Sequence, residues 1–388
     1  MRVDRLNIKN FKGFATREFL FHPQFNLIVG VNGTGKTSLL DASSIALGSW
    51  FLGLRGYDTR HIRATEVSLV SIEQHTNGGS QQIGVNWEAQ YPCVIEASGE
   101  VMGQHLSWTR KLNTPDGRTT YVDARHIKDL AEQTDRKVRM GDEVLLPLIS
   151  YYGTGRLWDV PREQAQIRNE QEVANKEALS RLAGYRNSID PRLSVSELVR
   201  WIARQSWITY QRGGLQSPVY MAVRDAIVRC LDGAQDIYFD ANFGEVIVEM
   251  GAQGKQPFNN LSDGQRCMLA MIGDIAQKAA TLNPHLGAQT LEQTPGVVLI
   301  DELDLHLHPK WQRHVIEGLR TTFPKIQFIA TTHSPFLIQS LRSGEELLAL
   351  DGRIRRCATD SFATYHGFCW DRNGLLRSCH DAANLPAS

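Results

Sequence analysis

Apolar positions along this 388-residue chain follow two periods, and the places where the period changes divide the sequence. Residues 2–8 and 25–29 read as strands, each followed by a loop. Thr37 to Leu47 reads as a helix, with Leu39, Leu40, Ser43, Ser44 and Leu47 at helical spacing. From about residue 66 to 122 the pattern turns to short alternations, with Ile83, Val85 and Trp87 in one and Leu106 and Trp108 in another. Thr114-Pro115-Asp116-Gly117 is a turn signal between two such segments, so a β-rich lobe is expected here. An apolar run, Leu145 to Tyr152, ends in the loop Gly153-Thr154-Gly155-Arg156. Residues 161–233 are mainly helical by pattern, broken at Asp190-Pro191 and Gly213-Gly214, and Ser194 with Glu197 forms a capping box. Strands return after residue 236. A helix follows from about Ser262 to Ala280, then buried-looking strands at 297–300 and 326–331, a strand at Leu347 to Leu350 and a turn at Asp351-Gly352. Helices alternating with strands at both ends imply an α/β fold whose mostly parallel sheet is assembled from both ends, with the middle inserted.

Composition narrows the class of protein. Hydrophobic residues make up 42% and charged residues 22%, as in folded globular chains. Lys plus Arg equals Asp plus Glu at 42 each, so any binding to nucleic acid or membrane must come from a local patch. The six cysteines are scattered without a C-x-x-C pair, which argues against a disulfide framework or zinc knuckle and fits a reducing cytoplasm. The first residues, MRVDRLNIKNF, lack the apolar core of a signal peptide. The longest apolar stretch, Ile45 to Leu54, is too short and too broken by glycine to span a bilayer. A cytoplasmic chain without a membrane segment is expected.

The candidate chemistry begins at Gly30. Residues 30–37, Gly-Val-Asn-Gly-Thr-Gly-Lys-Thr, match G-x-x-x-x-G-K-[ST] between a strand and a helix. Glycines let backbone N–H groups curl around phosphate oxygens, and the helix N-terminus adds positive potential. Lys36 can supply charge to the β- and γ-phosphates of a nucleotide, and the Thr37 hydroxyl can ligate Mg²⁺. Val297 to Ile300, four apolar strand residues, deliver Asp301 and Glu302. The first carboxylate suits Mg²⁺, and the second can orient and polarise an attacking water.

Further motifs extend a resemblance. Leu261-Ser262-Asp263-Gly264-Gln265-Arg266 looks like the ABC signature, and Asp304 looks like a D-loop aspartate. Thr331-Thr332-His333-Ser334-Pro335 looks like the switch-histidine loop. Their order, with the opening run Leu6 to Phe14, resembles the SMC/RecF/OLD class of ABC-type ATPases. The runs from Asp301 to Gln312 and from Tyr151 to Arg156 more closely resemble a bacterial AAA-domain group that includes Septu-type and retron-associated defence ATPases. The implied fold is an ABC-type P-loop NTPase head with a β-rich lobe and a short helical insertion in place of a long coiled coil. Its implied divisions are 1–75 (Walker A part of the head), 76–155 (β-rich lobe), 156–235 (helical insertion), 236–345 (signature, Walker B, D-loop and switch histidine) and 346–388 (tail).

The resemblance implies ATP and Mg²⁺ as cofactors and a homodimer or higher even-numbered oligomer that sandwiches ATP. It assigns catalysis to Glu302 and His333. Nucleotide contacts would come from Asn32, Gly33, Thr34, Gly35, Lys36, Thr37 and Ser38, from Lys12, and from Ser262, Gly264, Gln265 and Asp304; metal contacts would come from Thr37 and Asp301. Ser262 and Gln265 equally read as an ordinary capping box, and Lys12 equally as a residue of a solvated turn. His306 and His308 stand at H-x-H spacing but lack an evident third ligand. The class usually places a Gln after the strand that enters the helical lobe; here that loop is Gly153 to Arg156, so Thr154 or Arg156 stands in, or hydrolysis is slow.

No H-N-H pattern or nuclease-like acidic cluster is visible, and the 55 residues after His333 are too few for a TOPRIM domain, so destructive chemistry would belong to a partner. The expected function is an ATPase switch controlling an effector such as a nuclease in anti-phage defence. The alternatives are a RecF-like ATPase of DNA repair and a scaffold that binds ATP without turning it over. Residues 181–229 hold eight arginines, no lysine and three acids, interleaved with Tyr185, Trp201, Trp207, Tyr210 and Tyr220. Val195, Leu198 and Ile202 share one helix face, and Arg200 and Arg204 stand a turn apart on another. The plain reading is arginines solvating helices whose tryptophans pack inside. The functional one is a surface for nucleic acid or an acidic partner through Arg200, Arg204 and Arg224.

Overall fold

The computed structural model describes residues 1–74, 84–156, 180–192, 195–231 and 233–350, with short strand segments beyond. Ile83, Ser194, the stretch 161–179 and the Asp351-Gly352 turn, all named above, lie outside the described residues. The chain forms two compact units. One comprises residues 3–21 and 32–136, and the other residues 1–2, 22–31 and 137–388.

In the first unit, β1 (Arg2–Phe11) and β2 (Phe14–Leu20) form one antiparallel pair. β6 (Cys93–Val101) and β7 (Gln104–Leu112) form another, giving a sheet of order β2-β1-β6-β7. Strand alternation places Cys93, Ile95, Ala97 and Val101 of β6 on the buried face. Helix α1 (Lys36–Leu47) is buried over most of its surface, and the Trp108 indole N–H of β7 donates to the Ala46 carbonyl at 2.9 Å. A separate hairpin pairs β4 (Leu69–Gln74) with β5 (Gly84–Ala89). The Thr114–Gly117 turn forms, closed by Gly117 N–H to the Thr114 carbonyl at 3.1 Å, but it returns the chain to a single bridge, Lys111 to Thr120, rather than to a strand. Helix α2 (Arg125–Met140) was not apparent from the pattern, because its buried stripe is only Ile127, Ala131, Thr134 and Asp135, two of them polar. It approaches Gly53 so closely that a Cβ there would lie 2.2 Å from the Lys128 carbonyl oxygen.

The second unit is built on a six-stranded sheet. Its strands are β3 (Phe25–Val29), β8 (Leu148–Tyr152), β12 (Gly296–Ile300), β13 (Ile326–Thr331), β14 (Leu347–Leu350) and β15 (Ile354–Arg355). In the order β15-β14-β3-β13-β12-β8 all neighbours are parallel except β14 and β15. Every residue of β3, β8, β12 and β13 is buried, which is why these strands read as continuous apolar runs rather than alternations. The sheet therefore draws on both ends of the chain, as expected. Helices α3 (Val195–Gln211) and α4 (Pro218–Cys230) are short, at 17 and 13 residues. α5 (Asp263–Leu282) and α6 (Pro309–Thr322) follow, with a small antiparallel sheet of β9 (Asp236–Asp240), β10 (Glu245–Glu249) and β11 (Lys255–Pro257). Leu198 of α3 seats against Gly273 of α5, where a Cβ would come within 2.5 Å of it. Under the sheet, buried Arg320 pairs with Glu346 at 2.5 Å and lies over the Phe25 ring.

Candidate nucleotide-binding and hydrolysis site

Because β3, β13, β12 and β8 are adjacent and parallel, the segments that follow them leave one edge of the sheet. These are Gly30-Val31, Thr331 to His333, Asp301-Glu302 and Gly153 to Arg156. The carboxyl edge is where open α/β sheets carry their ligands.

At this edge Asp301 is 5% exposed, and its Oδ1 accepts a 2.6 Å hydrogen bond from the Thr331 hydroxyl. The same hydroxyl oxygen accepts the Glu302 N–H at 2.7 Å. Glu302 adopts φ 49°, in the left-handed region that a residue with a Cβ enters at a cost. Its peptide is held from the other side too, since Arg156 Nη2 donates to the Glu302 carbonyl at 2.9 Å. Arg156, 1% exposed, also donates to the carbonyls of Asp301 at 2.7 Å and Gly153 at 3.1 Å, and to Cys267 Sγ of α5 at 2.9 Å. The guanidinium that sequence reasoning offered as a stand-in for the missing Gln thus points into the protein and grips the backbone behind the two carboxylates. Sequence reasoning missed this use of Arg156, and that of Thr331; only the Thr at the end of an apolar strand hinted at the second.

Asp304 accepts from the Thr332 hydroxyl at 2.5 Å and from the His333 N–H at 3.4 Å, tying the segment after β12 to the segment after β13 and leaving the His333 side chain exposed. Ser262 and Gln265 form the capping box of α5: the Ser262 N–H donates to Gln265 Oε1 at 3.0 Å, and the Gln265 N–H to Ser262 Oγ at 3.4 Å. Ser262 stays exposed at the helix N-terminus. Gly264 lies against the turn after Asp304, where a Cβ would meet the His306 carbonyl oxygen at 2.3 Å. The segments around Ser262, Asp301, Asp304 and His333 are therefore one connected cluster. His308 caps α6, its Nδ1 accepting from the Lys310 N–H at 3.3 Å.

Residues 32–37 of the expected phosphate loop belong to the first unit. Gly33 and Gly35 adopt φ 84° and 98°, where glycine is favoured, and α1 begins at Lys36. A Cβ on Gly35 would strike the Phe14 ring at 2.7 Å. Asn32, Gly33 and Thr37 are exposed, Thr34, Gly35 and Ser38 half-buried, and Lys36 buried. Lys12, in the β1–β2 turn, pairs with Asp41 of α1 and lies 3.7 Å from Glu66; Arg60 bonds both carboxylates as well. Burial alone would raise the Asp41 pKa, but Arg60 and Lys12 hold it below its ordinary value. Lys12, expected as a phosphate contact, is thus placed within a network of two cations and two carboxylates.

The AAA domain family profile matches residues 5–205, and an AAA ATPase domain profile matches residues 163–338. The chain belongs to the AAA domain family. Retron Vc95 probable ATPase of Vibrio cholerae serotype O1 biovar El Tor is 48% identical to this AAA-domain chain over 392 residues, 88% of it and 72% of that protein. Retron Ec83 probable ATPase of Escherichia coli is 25% identical over 415 residues, 91% and 72% respectively. Septu protein PtuA of Bacillus mycoides (strain KBAB4) is 30% identical over 384 residues, 97% of this chain and 44% of that one. Among solved structures, an SMC head bound to the C-winged helix domain of ScpA superposes with a TM-score of 0.50 at 14% identity, covering 99% of this chain and 100% of that one. The fold is that of an SMC-type head, and the AAA-domain chain is related to the probable ATPases of retrons and to Septu protein PtuA. No helix among its described residues is long and apolar enough to cross a membrane.

Proposed function

We propose that the chain binds ATP with Mg²⁺, hydrolyses it between two copies of itself, and uses this cycle to gate a partner effector such as a nuclease in cytoplasmic anti-phage defence. The observation that carries the reading is the clamped Asp301–Glu302 pair: a buried carboxylate beside a glutamate whose peptide is gripped at both its N–H and its carbonyl. Backbone held at both points fixes where the Glu302 side chain leaves the chain, which favours placing its carboxylate to polarise a water for in-line attack. Lys36 and the N–H groups of the glycine loop bind phosphate oxygens. Thr37 and Asp301 each offer hard oxygen donors of the kind Mg²⁺ takes, and the bound ion neutralises phosphate charge. Ser262, exposed at the head of α5, is suited to grip a phosphate held by a second copy. The defence role rests on the retron and Septu relatives.

Measuring affinity and turnover separately tests the reading. Lys36→Ala abolishes tight ATP binding; Glu302→Gln keeps binding, stops turnover and accumulates an ATP-bound dimer. Wild-type hydrolysis by Glu302→Gln would remove Glu302 from its role.

A further inference from the structure

The arginine- and aromatic-rich segment divides into two populations, one packed inward and one exposed to solvent. Tyr185 and Tyr220 are 2% exposed, and Trp201 meets Tyr220 edge-on with ring centroids 6.0 Å apart. Arg192 bonds Asp190, Arg181 donates to the carbonyl of Val144 at 2.6 Å, and Arg224 is held by Asp236 and Gln216 across the Tyr220 ring. These groups pack and brace the helices. Arg224, expected as part of a binding surface, is committed to that bracing.

The outward face of α3 differs. The helix buries Leu198 and Ile202, at 1% and 2% exposure, and directly opposite them run Arg200, Arg204, Trp207 and Gln211, all exposed. Steps of four, three and four residues put these positions in one stripe. Tyr210 borders it, and its ring stacks on that of Trp207 with centroids 5.8 Å apart and planes 27° from parallel. Trp207 is 60% exposed and Tyr210 76%, where the other aromatic side chains of the segment turn inward. From Arg200 to Tyr210 the stripe extends about 15 Å at ~1.5 Å per residue.

We propose that this face of α3 binds single-stranded nucleic acid, with Trp207 and Tyr210 as the stacking platform and Arg200 and Arg204 as phosphate ligands. Flat rings open to solvent beside guanidinium groups offer both things an unpaired strand presents, a base face and a phosphate. A duplex has its bases already stacked and gains only the charge contacts. An acidic peptide likewise gains only the charge contacts. Glu197, one turn before Arg200 on the same face, is half-buried and near enough to interact with Arg200, so the exposed positions of the stripe carry positive charge only, complementary to a polyanion. The site is chemically independent of ATP hydrolysis.

The test uses the full chain and fluorescent 20-nucleotide oligo(dT) and oligo(U), with a duplex of equal length and poly-glutamate as comparisons. Both single strands bind more tightly than the duplex. Trp207→Ala with Tyr210→Ala weakens them about tenfold or more, while Trp207→Phe keeps most of the affinity. Log affinity falls against log salt with a slope of about −1.4 for two phosphate contacts, and Arg204→Glu lowers that slope by about 0.7. Lys36→Ala leaves all of this unchanged, so failure here and failure of the ATPase reading are separable. Absent single-strand binding, equal duplex binding, or an unaltered double-alanine variant that retains ATP binding overturns the proposal. Poly-glutamate bound as tightly through the same residues reassigns the surface to an acidic protein and overturns it too.

Discussion

Replacing Arg156 by Met keeps most of the side-chain volume and removes the donors that grip the backbone behind Glu302. Three carbonyls, of Gly153, Asp301 and Glu302, lose hydrogen bonds of 2.7–3.1 Å, and Cys267 loses a fourth contact. At about 1 kcal/mol net for each carbonyl bond the gross loss is about 3 kcal/mol. Relief of the burial cost of a guanidinium that faces only neutral acceptors offsets part of it, leaving about 2 kcal/mol. For a unit of this size the melting temperature then falls by roughly 4–8 °C. The kinetic effect is larger than the thermodynamic one. With its carbonyl released, Glu302 can leave φ 49°, and an error of about 1 Å in a positioned group costs on the order of 10²-fold in rate. Steady-state hydrolysis with parallel nucleotide titration should show kcat down about a hundredfold, with ATP affinity altered less than about threefold. Arg156→Lys falls between, because an ammonium cannot span two carbonyls as a fork does. A folded Arg156→Met protein with wild-type kcat, or one that loses affinity and kcat together, refutes the positioning argument.

Ser262→Arg leaves ATP binding by a single copy intact but blocks engagement. Mixed with Lys36→Ala protein it regains partial hydrolysis, since a mixed dimer pairs one intact P-loop with one intact signature; no recovery in verified heterodimers counts against a shared site. Asp41 supplies a pH test. Its folded pKa is lowered from 3.8, so its stabilisation is complete above that value and fades as pH falls through the lowered one. The melting-temperature gap between wild type and Asp41→Asn therefore narrows below about pH 4, and a gap constant from about pH 7 to pH 2.5 disproves the ion-pair account.

Much of the candidate site was legible before any fold was known, because the chemistry it suggests is local. Gly33 and Gly35 are required where they stand by backbone conformation, and Lys36 by its place at a helix start. Asp301 and Glu302 follow an apolar run that reads as a strand buried on both faces, and it is one. What the tertiary structure alone decided concerns direction and partners. Periodicity put Arg200 and Arg204 on one face of α3, yet only the packing of Leu198 against Gly273 turns that face to solvent. Trp201 and Trp207 are six residues apart on the same helix, and one turns inward while the other stays exposed. Lys12 and Arg156 looked alike as cations near phosphate-binding motifs. One is engaged by carboxylates, and the other is buried on carbonyls 145 and 146 residues away. A sequence period fixes an angle around a helix axis or the face of a strand, but which partner a charge meets is set by contacts between segments far apart in the chain, and those exist only once the sheet has assembled.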